Sequence, residues 1–160
     1  MDDRVKKLMT PEQCEVFARN AIKLGRSDLA AQAKQRAVEL RAGAHGAGSA
    51  AERECLAAIY AYEEILRAKH GRRVPARRTW QMIERRGIIP AIEHAVDRPD
   101  GTAGFTALQE IGLENYAFEA VVLRHPQLFS ESAVERSSQR MVSLDEVAAI
   151  EVSGLEKPAV

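Results

Sequence analysis

Residues 49–71 read SAAERECLAAIYAYEEILRAKHG, and the way this stretch folds decides the class of the chain. Ser49 with Glu52 makes the Ser-x-x-Glu pattern of a capping box, which satisfies open N–H groups in the first turn of a helix. Beyond it, Cys55, Leu56, Ile59, Tyr62 or Glu63, and Leu66 recur at three- and four-residue spacing. That is the period of one face of an α-helix, not the alternation of a strand. Gly71 then supplies the residue that most readily turns left-handed at a helix end. The spacing predicts the longest helix of the chain.

The same signals repeat toward the N-terminus. Thr10-Pro11-Glu12-Gln13 offers a capping hydroxyl, a proline at the first helical position and a glutamine three residues after the cap. This helix should run to Leu24 and stop at Gly25. Ser27 caps a second helix, SDLAAQAKQRAVELRA, after a turn of about three residues, so the two form an antiparallel hairpin over residues 1–42. Ala18, Ala21, Ala30, Ala33 and Ala37 let its axes approach closely. No second copy follows at a period of about 34 residues, so the hairpin is a generic one and not the first unit of a repeat array. GAHGAGSA, residues 43–50, has no large apolar side chain and reads as a flexible joint.

Toward the C-terminus the punctuation predicts several shorter helices. ARRTWQMIERR is closed by Gly87, and Pro90 opens AIEHAV. DRPDGTAG reads as a loop, FTALQEIG as a short helix ending at Gly112, and LENYAFEAVVLRH as a longer one stopped by Pro126. Ser130 caps ESAVERSSQRM, and a further short helix starts near Leu144 before a frayed tail. The expected fold is all-α: a compact bundle of seven to nine helices. Its parts are an N-terminal hairpin over 1–42, a joint over 43–50, a main helical domain over 51–142, and a short helix with a tail over 143–160.

Composition agrees. The chain has 160 residues, 46% hydrophobic and 29% charged, as expected of one globular domain and not of a disordered one. No apolar run approaches the roughly 18 residues of a membrane span. MDDRVKKLMTPEQ lacks the apolar core of a signal peptide, so the expected location is cytoplasmic. Arginine outnumbers lysine 17 to 6 and there are 26 alanines, a bias that fits a bacterial, GC-rich source. Cys14 and Cys55 sit at apolar helical positions and read as buried free thiols in a reducing compartment.

Charge is the least random feature. Between residues 67 and 86 lie Arg67, Lys69, Arg72, Arg73, Arg77, Arg78, Arg85 and Arg86 against the single acid Glu84, a net +7. The remaining 15 basic and 22 acidic residues give −7. The arginine fork matches phosphate oxygens in pairs, so these eight residues are the candidate nucleic-acid contacts. The other reading is a surface that meets an acidic protein partner, with the 1–42 hairpin as the docking element of a helical adaptor or regulator. A helix-turn-helix does not fit. With Gly87 as the turn glycine, Ile83 stands where a small residue is needed, Glu93 where an apolar one is needed, and Pro90 where the second helix should begin. Trp80 has no aromatic neighbour in this stretch and is expected to pack inward with Met82 or Ile83 and Ile88.

Signals for catalysis or metals are weak, so no cofactor or metal is assigned and a non-enzymatic role is expected. His45, His70, His94 and His125 form no His-x-x-x-His pair and sit at no metal spacing with cysteine. Glu93-His94 with Asp97 places carboxylates near an imidazole, either a proton-transfer group or a surface interaction. Arg41 and His45 are spaced like the pair of some helical ribonucleases but lack the polar residue that follows the arginine there. Glu63-Glu64 has no Glu-x-x-His partner. Pro99-Asp100 is not followed by the strand-borne Glu-x-Lys of a restriction-type nuclease. Phe118 and Val122 widen the apolar face of their helix enough to offer a homodimer seam.

Overall fold

The computed structural model describes residues 1–99 and 101–154. Among them are nine α-helices and no strand. The helices are α1 (Asp3–Lys6), α2 (Pro11–Lys23), α3 (Ser27–His45), α4 (Ala50–His70), α5 (Arg77–Arg86), α6 (Ile88–Val96), α7 (Gly101–Glu110), α8 (Phe118–Arg124) and α9 (Glu131–Gly154). Single 3-10 turns at Glu114–Tyr116 and Pro126–Leu128 flank α8. None of these helices is long and apolar enough to cross a membrane.

Sequence punctuation fixes several boundaries, though not the start of α3, where Arg26 is the N-cap without a side-chain bond and Ser27 is the first helical residue, not the cap. Thr10 Oγ1 accepts from Gln13 N–H, and the Gln13 side chain reaches back to the Thr10 backbone, a complete capping box. Ser49 Oγ accepts from Glu52 N–H, while the Glu52 carboxylate takes the Gly48 N–H at 2.7 Å. Gly71 ends α4 in the left-handed conformation.

α4 is the axis of the molecule and packs against α3, α6, α7 and α8. One cluster sets Cys55, Ala58 and Ile59 against Ile92 and Val96 of α6, Val121 and Val122 of α8, and Phe129 and Ala133 beyond. A second sets Leu56, Ala57 and Ala61 against Val38 and Ala42 of α3, Phe105 and Leu108 of α7, Leu113 and Ala117. A helix buried on most sides has no single apolar stripe. The stripe expected from Cys55, Leu56 and Ile59 is real but understates the burial, because the alanines between those residues are buried too. The hairpin has its own cluster of Val5, Ala18, Ala21, Leu29, Ala30 and Ala33, the small residues allowing the helices close approach.

An ion-pair lattice joins the hairpin to α4. Arg41 of α3 donates to Glu64 of α4 at 2.8 Å and also to Glu15 of α2. Glu15 in turn accepts from Arg67 of α4 at 2.9 Å. The hydrogen bond from Arg67 is the main influence that holds the Glu15 carboxyl below its ordinary value of 4.5, with Arg41 adding to it against the opposing push of burial.

Several boundaries differ from the sequence reading: α1 was not expected, and α6 starts at Ile88, two residues before Pro90, which therefore lies inside its first turn and does not open it. α3 runs through His45, so the joint shrinks to residues 46–49. α7 begins at Gly101, inside the expected DRPDGTAG loop, because burial of Phe105 and Leu108 outweighs the helix penalty of two glycines. The helix expected over LENYAFEAVVLRH is split at Ala117, which is extended at ψ 145. Tyr116 packs on the second cluster and Phe118 on the first, and one straight helix cannot serve both. The short helix expected from Leu144 is a continuation of α9, which meets no proline before its end. Asp100 of the expected loop and the tail at 155–160 lie outside the described residues.

Gly112 has φ +73°, and a Cβ there would stand 2.6 Å from the Ala31 Cβ on α3. Gly112→Ala is expected to destabilise the fold by about 2 kcal/mol or more in urea denaturation. Gly43→Ala, inside α3 with open space around it, is expected to stabilise by about 0.5 kcal/mol. The Glu15 pair contributes stability that is present above pH 4.5 and is lost as pH falls through the depressed folded value. The wild type should therefore lose stability in that window more steeply than Arg67→Gln, as read by denaturation midpoints at stepped pH.

Candidate functional site

The basic stretch leaves α4 at Gly71 and crosses the surface to α5. One buried carboxylate anchors it. Glu63 Oε1, on α4, accepts from the Ala76 backbone N–H at 2.9 Å and from Trp80 Nε1 at 2.6 Å. Ala76 is the N-cap of α5, so Glu63 satisfies an open donor at the start of that helix and holds its only tryptophan. Trp80 packs with Ile83 and Ile88 on the core, as the sequence suggested. It is not alone, however. The His45 ring stacks on it at 5.0 Å and 20°, and Tyr60 lies 5.2 Å away. These rings come from α3 and α4, so no local sequence pattern could have shown the group.

With Trp80 and Ile83 turned inward, Arg78, Gln81, Met82 and Arg85 share another face of α5 by helical spacing. Gly87, at φ +96°, reverses the chain into α6. One face of α5 along its length and the C-terminal half of α6 then border one cleft of about 360 Å³, lined by Arg78, Arg85 and Arg86 with Ala91, His94 and Arg98. A neighbouring cleft of about 580 Å³ is lined by Arg72, Arg73, Arg77 and Arg78, and again by Arg98.

Lys69, Arg72, Arg73, Arg77, Arg78, Arg85 and Arg86 are all exposed, and none has an ion-pair partner among the described residues. Elsewhere Arg4, Arg26, Arg41, Arg124, Arg136 and Arg140 each meet a carboxylate, while Arg19, Arg36 and Arg53, on three different helices, have no ion-pair partner among the described residues. Arg67 belongs with the paired arginines. It is half-buried and bound to Glu15, on the hairpin side of α4. In its place the fold supplies Arg98, which lies outside the basic stretch. No spacing in the sequence pointed to it, because Arg98 follows the C-cap Asp97, beyond the end of α6.

The placement of these cations runs against helix electrostatics. The first turn of α5 carries Arg77 and Arg78 and no acid, although the N-terminus of a helix is its positive end. Both arginines add to that potential, which raises attraction for anions and costs local stability.

The other candidate groups have structural partners. Glu93 Oε1 accepts from Ser130 N–H at 2.8 Å, and Asp97 pairs with Arg136, which leaves His94 exposed on the cleft without either carboxylate. Arg41 is held in the ion-pair lattice while His45 stacks on Trp80, so the two do not form a joint site. Glu63 and Glu64 face different partners. Among the described residues no three histidine, cysteine or acidic side chains gather as a metal site. Cys14 and Cys55 are free and buried, and burial pushes the Cys55 thiol up to about 12. Phe118 is partly buried and Val122 fully so, both against the core.

No protein-family model matches the chain, and comparisons with curated proteins and with solved structures give no match.

Glu63→Ala removes an acceptor from two donors, one of them buried, and is expected to cost about 3 kcal/mol. It should also shift Trp80 emission to the red as the segment before α5 loosens. Glu63→Gln keeps an acceptor oxygen and should shift the emission less. Trp80 is the sole tryptophan, so the emission reports this site alone.

Proposed function

We propose that this chain binds nucleic acid through the arginine-lined clefts of α5 and α6, as a non-enzymatic, nucleic-acid-associated regulatory protein. The observation that carries the reading is the contrast in pairing. Most arginines elsewhere meet carboxylates at the surface or in the ion-pair lattice, and Arg19, Arg36 and Arg53, which do not, lie on three different helices, whereas the six arginines of α5 and the segment before it have no ion-pair partner among the described residues and are gathered along two clefts. Unpaired cations held together against mutual repulsion create a field that a polyanion relieves, and neutralised phosphates release their counterions. The clefts are lined by side chains from two helices and a preceding segment, so several backbone phosphates can be met at once. Contacts of this kind give affinity with little sequence preference.

Fluorescence anisotropy with single-stranded RNA and with duplex DNA tests the reading. Affinity is expected to fall linearly on a log–log plot against salt, with a slope of about −5 if about six phosphates are neutralised. Reversal of Arg72, Arg73, Arg77 and Arg78 to Glu should weaken binding at low salt by about 100-fold or more. Arg67→Gln should change it little, since Arg67 is bound to Glu15. Absence of binding at low salt would overturn the proposal. The adaptor reading would then lead: the clefts would face an acidic protein, and the hairpin, whose Met9, Val16, Ile22 and Leu24 are exposed, would be the docking element.

A further inference from the structure

Three cavities of the molecule meet at two side chains. Thr79 of α5 and Arg98 beyond α6 line both basic clefts and also a third, more apolar cavity of about 280 Å³. That cavity lies between α4, α7 and α8, with Tyr62, Ile65, Phe105, Leu108 and Phe118 among its walls. It shares Tyr62, Leu66, Thr79 and Arg98 with the larger cleft, so apolar space and basic surface are continuous. Among the described residues its one acidic wall residue, Glu119, is neutralised by Arg140 at 2.9 Å, and a second cation, the exposed Lys69, stands on its wall beside Arg98. Arg98 is different. Its backbone carbonyl is fixed by Arg140, but its half-buried guanidinium has no ion-pair partner among the described residues.

An apolar cavity beside an unpaired cation is the complement of a molecule with an apolar body and an anionic end. A neutral apolar molecule would further desolvate Arg98 without pairing it. A bare phosphate would pair Arg98 and leave the cavity unfilled. The volume is near the lower bound of about 300 Å³ for small-molecule sites, which suits a body of modest size. We propose that this cavity binds a small amphipathic carboxylate, of the medium-chain fatty-acid class. Its chain lies between Phe105, Leu108 and Phe118, and its carboxylate sits at Arg98 with the Thr79 hydroxyl beside it. The site stands apart from the nucleic-acid reading. If that reading also holds, the bound carboxylate removes one positive charge from the wall of both clefts and weakens polyanion binding.

The test uses the full chain without nucleic acid. Decanoate, decanol and inorganic phosphate are titrated by calorimetry at concentrations below micelle formation. Expected is saturable 1:1 binding of decanoate, with decanol and phosphate each weaker by about tenfold or more. Arg98→Gln should lose about tenfold for decanoate and little for decanol. Ala103→Phe, which places a ring at an exposed rim position of the cavity, should abolish binding of both. Arg85→Gln, on the cleft but outside this cavity, should match the wild type. Far-UV circular dichroism confirms that each variant is folded. No saturable decanoate binding, or equal binding by Arg98→Gln, would overturn the proposal. Nucleic-acid binding measured separately, with and without saturating decanoate, keeps the failure of one reading distinct from the failure of the other.

Discussion

Two carboxylates at adjacent positions of α4 cannot be left unpaired inside the protein. Glu63 and Glu64 are both buried, and successive positions on a helix point about 100° apart, so they face different neighbours. A buried charge without partners costs several kcal/mol. Glu64 is satisfied by Arg41 of the hairpin, which brings Glu15 and Arg67 with it. Glu63 is satisfied by the N–H groups of Ala76 and Trp80. One acid therefore fixes where the N-terminal hairpin sits, and the other fixes where the arginine-bearing segment enters α5. The apolar clusters provide most of the burial, but nonpolar contacts are tolerant of sliding. These directional bonds select one register.

Charge is used in two ways. On the hairpin side of α4, positive and negative groups interlock and are largely withdrawn from water. On the α5 and α6 side, one sign accumulates at the surface and is held there by the same helix. The arrangement at the start of α5 violates the usual preference for acids in a first turn, and the buried Glu63 partly compensates through the backbone N–H it accepts. Local rules broken at one place while kept elsewhere are characteristic of surfaces shaped by something other than stability.

The fold was legible where the chemistry is local. Thr10 and Gln13 close their cap, Ser49 caps α4, and Gly25, Gly71, Gly87 and Gly112 all adopt positive φ at the turns they mark. The small residues Ala18, Ala21, Ala30, Ala33 and Ala37 are buried as their spacing required. The sequence misled where tertiary packing outranks propensity. Glycines at 101 and 104 looked like a loop but are carried into α7 by Phe105 and Leu108. A continuous apolar pattern at 113–125 concealed a change of direction at Ala117. The basic stretch was visible as composition, yet its membership was not. Arg67 is claimed by Glu15, 52 residues away, and Arg98 joins from beyond α6. Which arginine is spent on a partner and which is left over depends on contacts between distant segments, and spacing along one chain does not encode those.

The position of α4 also sets an order of events. Its hairpin-side partners precede it in the chain, but much of its remaining surface is covered by residues that follow: Ile92, Val96, Phe105, Val121, Phe129 and Ala133. Tyr116 reaches back to Glu39 across 77 residues. On a chain emerging from its N-terminus, the central helix is complete long before its covering helices exist. Its apolar sides are then exposed through the synthesis of more than sixty further residues, a count that follows from the span between His70 and Ala133. The polar half of its environment is settled early, through Arg41 and Glu15, and the apolar half late. Closure of this core is thus tied to loops of long sequence separation, the feature that slows folding and lengthens the interval in which a chain needs protection from its neighbours.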